Sequence, residues 1–288
     1  MSTTPPDTSP VTTRTMPPAV TSTTSPATIP TTSPFLPTAL ALTRRALVTC
    51  LRLPALVVSP LLMSGFFLLL YDGQLSTVGD ALAPGRPYVA IVLPLCLLTT
   101  AFTGGAVAGQ LLVRDITSGY HARLALTPTR RSVLVVAPVA AGLIVLTVES
   151  TLLVALGGLM GLRPEHGLAA AAGLVLGTVL VGAGFLLLAT AAALHAGTDA
   201  AVNAVSMVFF PLSLLTPMLV PRDRLGGWMA PVADLNPLTY VLEGLRALTG
   251  PTWSGGTLGR SGVAAAVLLV CGLVAVRVTA TRRVRKGV

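Results

Sequence analysis

Glu149 is the one ionisable residue inside a long apolar run of this 288-residue chain, and it bears on which chemistries stay open. An acid in hydrocarbon is costly, and such residues mark proton or transport paths. Counted from Val133 at a rise of about 1.5 Å per residue, Glu149 stands about 24 Å along its run, in the outer third, within reach of headgroups or of Arg163. A functional and a structural reading are both open. Catalytic groupings fail elsewhere. His121, His166 and His195 stand alone and no H-E-x-x-H occurs, so zinc proteolysis has no ligand set. Cys50, Cys96 and Cys271 are far apart, with no C-x-x-C spacing and no His partner, which signals neither a metal site nor a disulfide framework. Ser206 and Ser213 bear no informative spacing to His195, and isolated serines in apolar helices bond their own backbone. No G-x-x-x-x-G-K-[ST] loop occurs, so the usual phosphate cradle for ATP is missing.

Three polar stretches remain. Between two apolar runs lies Arg114-Asp115, then Gly119, Arg123-Leu124, Pro128 and Arg131. This order predicts a short helix broken at Gly119 and stopped near Pro128, held at the membrane face by Arg114 and Arg131 and able to dock into a soluble partner. The stretch Pro221–Leu248 spaces Leu235, Leu238, Leu242 and Leu245 by 3, 4 and 3, which is one helix face. Asn236 caps it, Pro237 occupies its first turn, and Glu243 can pair with Arg246 on the opposite side. The expectation is an amphipathic or re-entrant outer helix before the last span. Residues 38–53 set Arg44, Arg45 and Arg52 among leucines, the pattern of a basic interfacial helix lying along the inner leaflet.

Composition says what positions these stretches. The chain is 53% hydrophobic and 10% charged, with mean hydropathy +0.81. Soluble domains carry about a quarter charged residues, so a water-soluble enzyme is excluded. The net charge of +9 falls in clusters that punctuate apolar runs; it reads as membrane orientation, with no nucleic-acid partner. The fold expected is all-α and integral to the membrane, with six transmembrane helices at about 54–71, 88–113, 133–162, 167–194, 200–220 and 261–278. Basic residues near span ends favour both termini inside: twelve against six, including Arg44, Arg45, Arg52, Arg114, Arg123, Arg130 and Arg131 on the inner side. Glycines of the fourth span permit close packing, and Pro211 and Pro217 break or kink the fifth near its outer side. Residues 1–37 hold nine Pro, twelve Thr and five Ser and no apolar core of a signal peptide. They are expected to form a disordered cytoplasmic tail, with the transmembrane domain over 38–288. One Lys against eighteen Arg fits a GC-rich bacterial genome and the cell membrane of a bacterium.

With those residues in place, the chain resembles the permease subunits of ABC-2 type transporters, especially their daunorubicin/doxorubicin-resistance branch. The family pattern of acid, Gly, Arg-Leu, Pro and Arg is matched by Asp115, Gly119, Arg123, Leu124, Pro128 and Arg131, and an outer Asn-Pro followed by Arg by Asn236, Pro237 and Arg246. Asp115 stands where many members have Glu, and Tyr120 where many have Thr. The resemblance implies a six-span permease that binds no cofactor itself. ATP and Mg would be held by a separate nucleotide-binding subunit seated on the 114–131 connection. Two permease copies, identical or related, would form a central pathway opened by ATP-driven closure of that partner. The apolar and small residues of spans one, two and five suit an amphipathic drug or a lipid as cargo, with Glu149, Pro211 and Pro217 as further candidates along the path. The competing reading is a proton-coupled secondary transporter with Glu149 as carrier acid; such folds often show internal repeats, and none is detectable between the two halves.

Overall fold

The computed structural model describes residues 35–82, 87–120, 131–164, 166–217, 226–250 and 253–285, and all regular structure among them is helical. Helix α1 runs Phe35–Arg52. It starts three residues inside the stretch expected to be a tail, because Pro37 falls in the first turn, where no intrahelical N–H is needed. The rest of that stretch lies outside the described residues. Pro54 has no N–H to continue α1, so a new helix, α2 (Pro54–Leu82), begins there after the single residue Leu53. Arg44 and Arg52 are exposed, while Ala46 and Cys50 are buried against Val107, Leu111, Ala141 and Val145. One side of α1 is therefore part of the core.

The remaining helices are α3 (Val89–Thr117), α4 (Arg131–Leu159), α5 (Gly167–Ala196), α6 (Asp199–Leu214), α7 (Met229–Leu235), α8 (Pro237–Thr249) and α9 (Gly255–Arg285). Among the described residues five helices, α2, α3, α4, α5 and α9, are long and apolar enough to cross a bilayer. In α3, 83% of the most apolar stretch is buried, against 17–44% in the other four. It is the central helix, packed by α2, α4, α5, α6 and α8. Small residues permit this. A Cβ at Gly109 would stand 2.8 Å from the Ala189 carbonyl oxygen, so α3 and α5 touch backbone to backbone there. The interior glycines of α5 are used the same way: Gly173 and Gly177 receive Leu248 and Leu245 of α8, Gly182 receives Leu146 of α4, and Gly184 receives Leu268 of α9.

Helix α6 departs from the expected span over 200–220. Thr198 caps its start by accepting from the Ala201 N–H at 3.4 Å, and Asp199 sits favourably in the first turn. It stops at Leu214 after 16 residues, about 24 Å of rise against a hydrocarbon core of about 30 Å. Pro211 and Pro217 account for the stop. Pro217 has no N–H, and the Thr216 N–H turns to Ser213 instead of Leu212. The outer leucine face also needs correction. Leu238, Leu242 and Leu245 are buried, but Leu235 is 88% exposed. Leu235 belongs to α7, and the Asn236 cap starts a new helix axis after it.

Candidate functional site

At one end of the bundle, α3 finishes at Thr117 and Gly119 takes a left-handed φ of +70° just beyond. Glycine adopts this conformation without the Cβ clash other residues meet. Asp115, before the turn, accepts two hydrogen bonds from Arg45 of α1, at 3.0 Å (Nη2 to Oδ1) and 3.4 Å (Nη1 to Oδ2). Tyr120, after the turn, lies under the same guanidinium, 3.5 Å from ring centroid to Cζ. Arg114 is exposed. Arg131 is the first residue of α4, and Arg123, Leu124 and Pro128 lie outside the described residues.

A groove of about 840 Å³ opens between α2, α3 and α6. Leu62, Met63 and Phe66 of α2 form its apolar wall. Gln110 of α3 and Asn203 of α6 close one end, the Gln110 amide donating to the Asn203 carbonyl oxygen at 3.4 Å. One such bond leaves each amide capacity for others. Gln110 is five residues before Asp115, so the pair sits about 7.5 Å from the Arg45 level along α3. A second groove, of about 640 Å³ between α4 and α5, is apolar except for Thr147 and Thr151. Their hydroxyls donate to Leu143 and Thr147 carbonyls one turn back, at 2.7 and 2.6 Å.

At the far end, α8 brackets the broken end of α6. Asn236 works twice: its Oδ1 accepts the Leu238 N–H at 3.0 Å, and its Nδ2 donates to the Leu212 carbonyl at 2.7 Å. That carbonyl is the one left over when Thr216 turned to Ser213. Arg246 Nη1 donates to the Pro217 carbonyl at 2.8 Å, and Thr249 donates to the Ala90 carbonyl of α3 at 3.0 Å. Burial pulls the Arg246 guanidinium below its ordinary pKa, while the Glu243 charge three residues before and Tyr88 oppose that shift. The Asn-Pro and Arg of the sequence motif thus meet the broken end of α6, Asn236 at Leu212 and Arg246 at Pro217; Pro211, in the last turn of α6, and Pro217, just after it, are both apart from the groove lining.

The model of the ABC-2 type transporter family matches residues 38–249, nearly three quarters of the chain and all three of these regions. The chain belongs to the ABC-2 type transporter family. It is accordingly a multi-pass membrane protein. Among curated relatives it is 26% identical over 165 residues to the "Probable doxorubicin resistance ABC transporter permease protein DrrC" of two Mycobacterium tuberculosis strains, covering 57% of this chain and 60% of the relative. It is 25% identical over 245 residues to the "Daunorubicin resistance ABC transporter permease protein DrrB1" of Streptomyces coeruleorubidus, covering 84% of each.

Glu149 stands apart from all three regions. It is fully buried and faces α3, its carboxylate filling the space where Gly104 lacks a side chain, rather than reaching toward Arg163. Neither of its oxygens has a hydrogen-bond partner among the described residues. On α1, burial pushes the Cys50 thiol up. Sequence reasoning singled out Arg45 and Asp115 separately but not their pairing, and passed over Gln110 and Asn203. An amide inside an otherwise apolar run was the available signal, since such groups in membrane helices hydrogen-bond across to a neighbour.

Proposed function

We propose that this chain is the permease of an ATP-driven exporter, moving an amphipathic drug or lipid-like molecule out of the cell along the α2–α3–α6 groove. The observation that carries the reading is the amide pair Gln110–Asn203, which bonds across helices in the first groove, where the threonines of the second bond only to their own helix. A Gln–Asn pair facing lipid would be unfavourable, so the α2–α3–α6 face is turned toward a second permease copy or a related one. The α4–α5 groove, with its hydroxyls internally bonded, faces membrane lipid. The groove combines an apolar wall with uncharged amides, which suits an amphipathic cargo; the relatives' names point to doxorubicin and daunorubicin resistance. In this reading both termini are inside, α6 makes the remaining crossing with the re-entrant α7–α8 pair covering its short outer end, and the 114–131 connection docks a nucleotide-binding subunit. ATP and its magnesium ion are bound and hydrolysed on that separate subunit.

The test is to capture the chain from its native membranes through a tag, reconstitute the complex in liposomes, and follow doxorubicin fluorescence with ATP, with a protonophore, and with neither. Uptake that requires ATP and ignores the protonophore is the expected result. Uptake that ignores ATP and collapses with the protonophore overturns the exporter reading in favour of a proton-coupled carrier centred on Glu149. Its burial against Gly104, away from the groove lining, weighs against that carrier.

A further inference from the structure

We propose that Arg45 is a positioning residue that clamps the turn between α3 and the docking connection, so that movement of the connection is delivered to α4 through α1 as well as to α3. The proposal rests on the exporter reading and adds a route to it. Its basis is that one guanidinium holds both sides of a break. Asp115 is the last acidic residue of α3, Tyr120 is the first described residue past Gly119, and Arg45 bonds the one while lying 3.5 Å over the other. A left-handed glycine turn is a place where the chain changes direction with little resistance of its own. A planar fork that pairs with a carboxylate along its edge and with a ring along its face fixes the angle across that turn. Lysine cannot do both, because its ammonium is a point charge without a face.

The far side of the clamp is a packed one. Ala46, next to Arg45, and Cys50 one turn on are buried between Val107 and Leu111 of α3 and Ala141 and Val145 of α4. Helix α1 therefore cannot follow Asp115 and Tyr120 without pressing on α4. The clamp itself is half-exposed, with 40% of the Arg45 side chain and 23% of the Asp115 side chain accessible. This leaves it room to change geometry when a partner docks.

Two measurements test this on the tagged, reconstituted complex. The first is doxorubicin taken up per ATP hydrolysed. Arg45→Glu should lower that ratio about tenfold at an unchanged amount of inserted protein, the size of a typical coupling between sites. Arg45→Lys and Tyr120→Leu should fall between, and Tyr120→Phe should match the wild type. Exchanging the pair, Arg45→Asp with Asp115→Arg, should recover part of the loss. A wild-type ratio in Arg45→Glu, or losses that simply multiply in the exchanged pair, overturns the clamp. The second measurement does not depend on what the protein carries: the distance distribution between spin labels at Val48 and Ser118 in a cysteine-free variant. It should be narrow with Arg45 and broad with Arg45→Glu, and an unchanged distribution overturns the clamp. A wild type without ATP-dependent uptake overturns the exporter reading instead, and the label distances then still decide the clamp.

Discussion

The α2–α3–α6 face and the α4–α5 face are both largely apolar, and both carry threonines bonded to their own helix, Thr103 on the first and Thr147 and Thr151 on the second, but only the first joins polar groups across helices. On the first, an amide of one helix meets an amide of another across the groove. On the second, each threonine folds its hydroxyl onto its own helix. The difference teaches that hydropathy alone does not tell a span's lipid side from its working side. What tells them apart is whether a polar side chain is satisfied within its own helix or needs a neighbour.

The largest effect expected is to silence the groove while leaving both faces intact. Gly119→Pro forces a φ near −65° where the chain has +70°; it should abolish ATP-dependent doxorubicin uptake with normal insertion, and Asp115→Ala should act in the same direction. Normal uptake by either, at wild-type protein amount, would break the link between the docking end and the groove. Next is a charge placed on each face. Leu176→Arg, on the α4–α5 side, should reduce the inserted fraction, since arginine costs about 2.5–3.5 kcal/mol at the centre of a spanning helix. Ser206→Arg, in the groove, should insert but fail to transport. Equal insertion losses in a glycosylation-mapping assay would erase the contrast.

A smaller effect separates the polar groups themselves. Replacing Gln110 and Asn203 together by leucine should weaken uptake about tenfold, roughly what one or two hydrogen bonds contribute. Thr147→Val with Thr151→Val should stay within about twofold, because self-satisfied hydroxyls offer a cargo nothing. The smallest effect expected is that of Glu149→Gln, which keeps the shape against Gly104 and should leave ATP-driven uptake within about twofold. If that substitution abolished uptake, the acid and not the groove would be the centre of the mechanism.

Five of the expected spans were legible because each is an apolar run with at most one charge, closed by a local signal such as Arg114-Asp115 or Gly197; Asp72-Gly73 misled, since α2 runs on through it to Leu82. The Asn236-Pro237 helix start was legible for the same reason: a cap acts on residues two or three positions away. The illegible features join distant positions. Arg45 and Asp115 are 70 residues apart, Gln110 and Asn203 93, and Arg246 and Pro217 29. No periodicity reports such pairings. Leu235 was placed on the wrong side for a related reason: the 3-4-3 spacing runs on across Asn236, while the helix axis does not. The short α6 was half legible. The prolines announced a break, but its position depended on where Asn236 and Arg246 could cover the freed carbonyls.

The enclosure of α3 has a consequence in time. Of its partners only α2 precedes it, while α4, α5, α6 and α8 all follow it along the chain, so when α3 leaves the ribosome these four do not yet exist. Gln110 must wait 93 residues for Asn203, about 5–20 s at ordinary synthesis rates of about 5–20 residues per second. During that interval the helix that ends up deepest in the protein is bounded by lipid or by the insertion machinery, with its glycine side open. A chain halted before α5 lacks the surface that covers it, and this is the species that membrane quality control would meet.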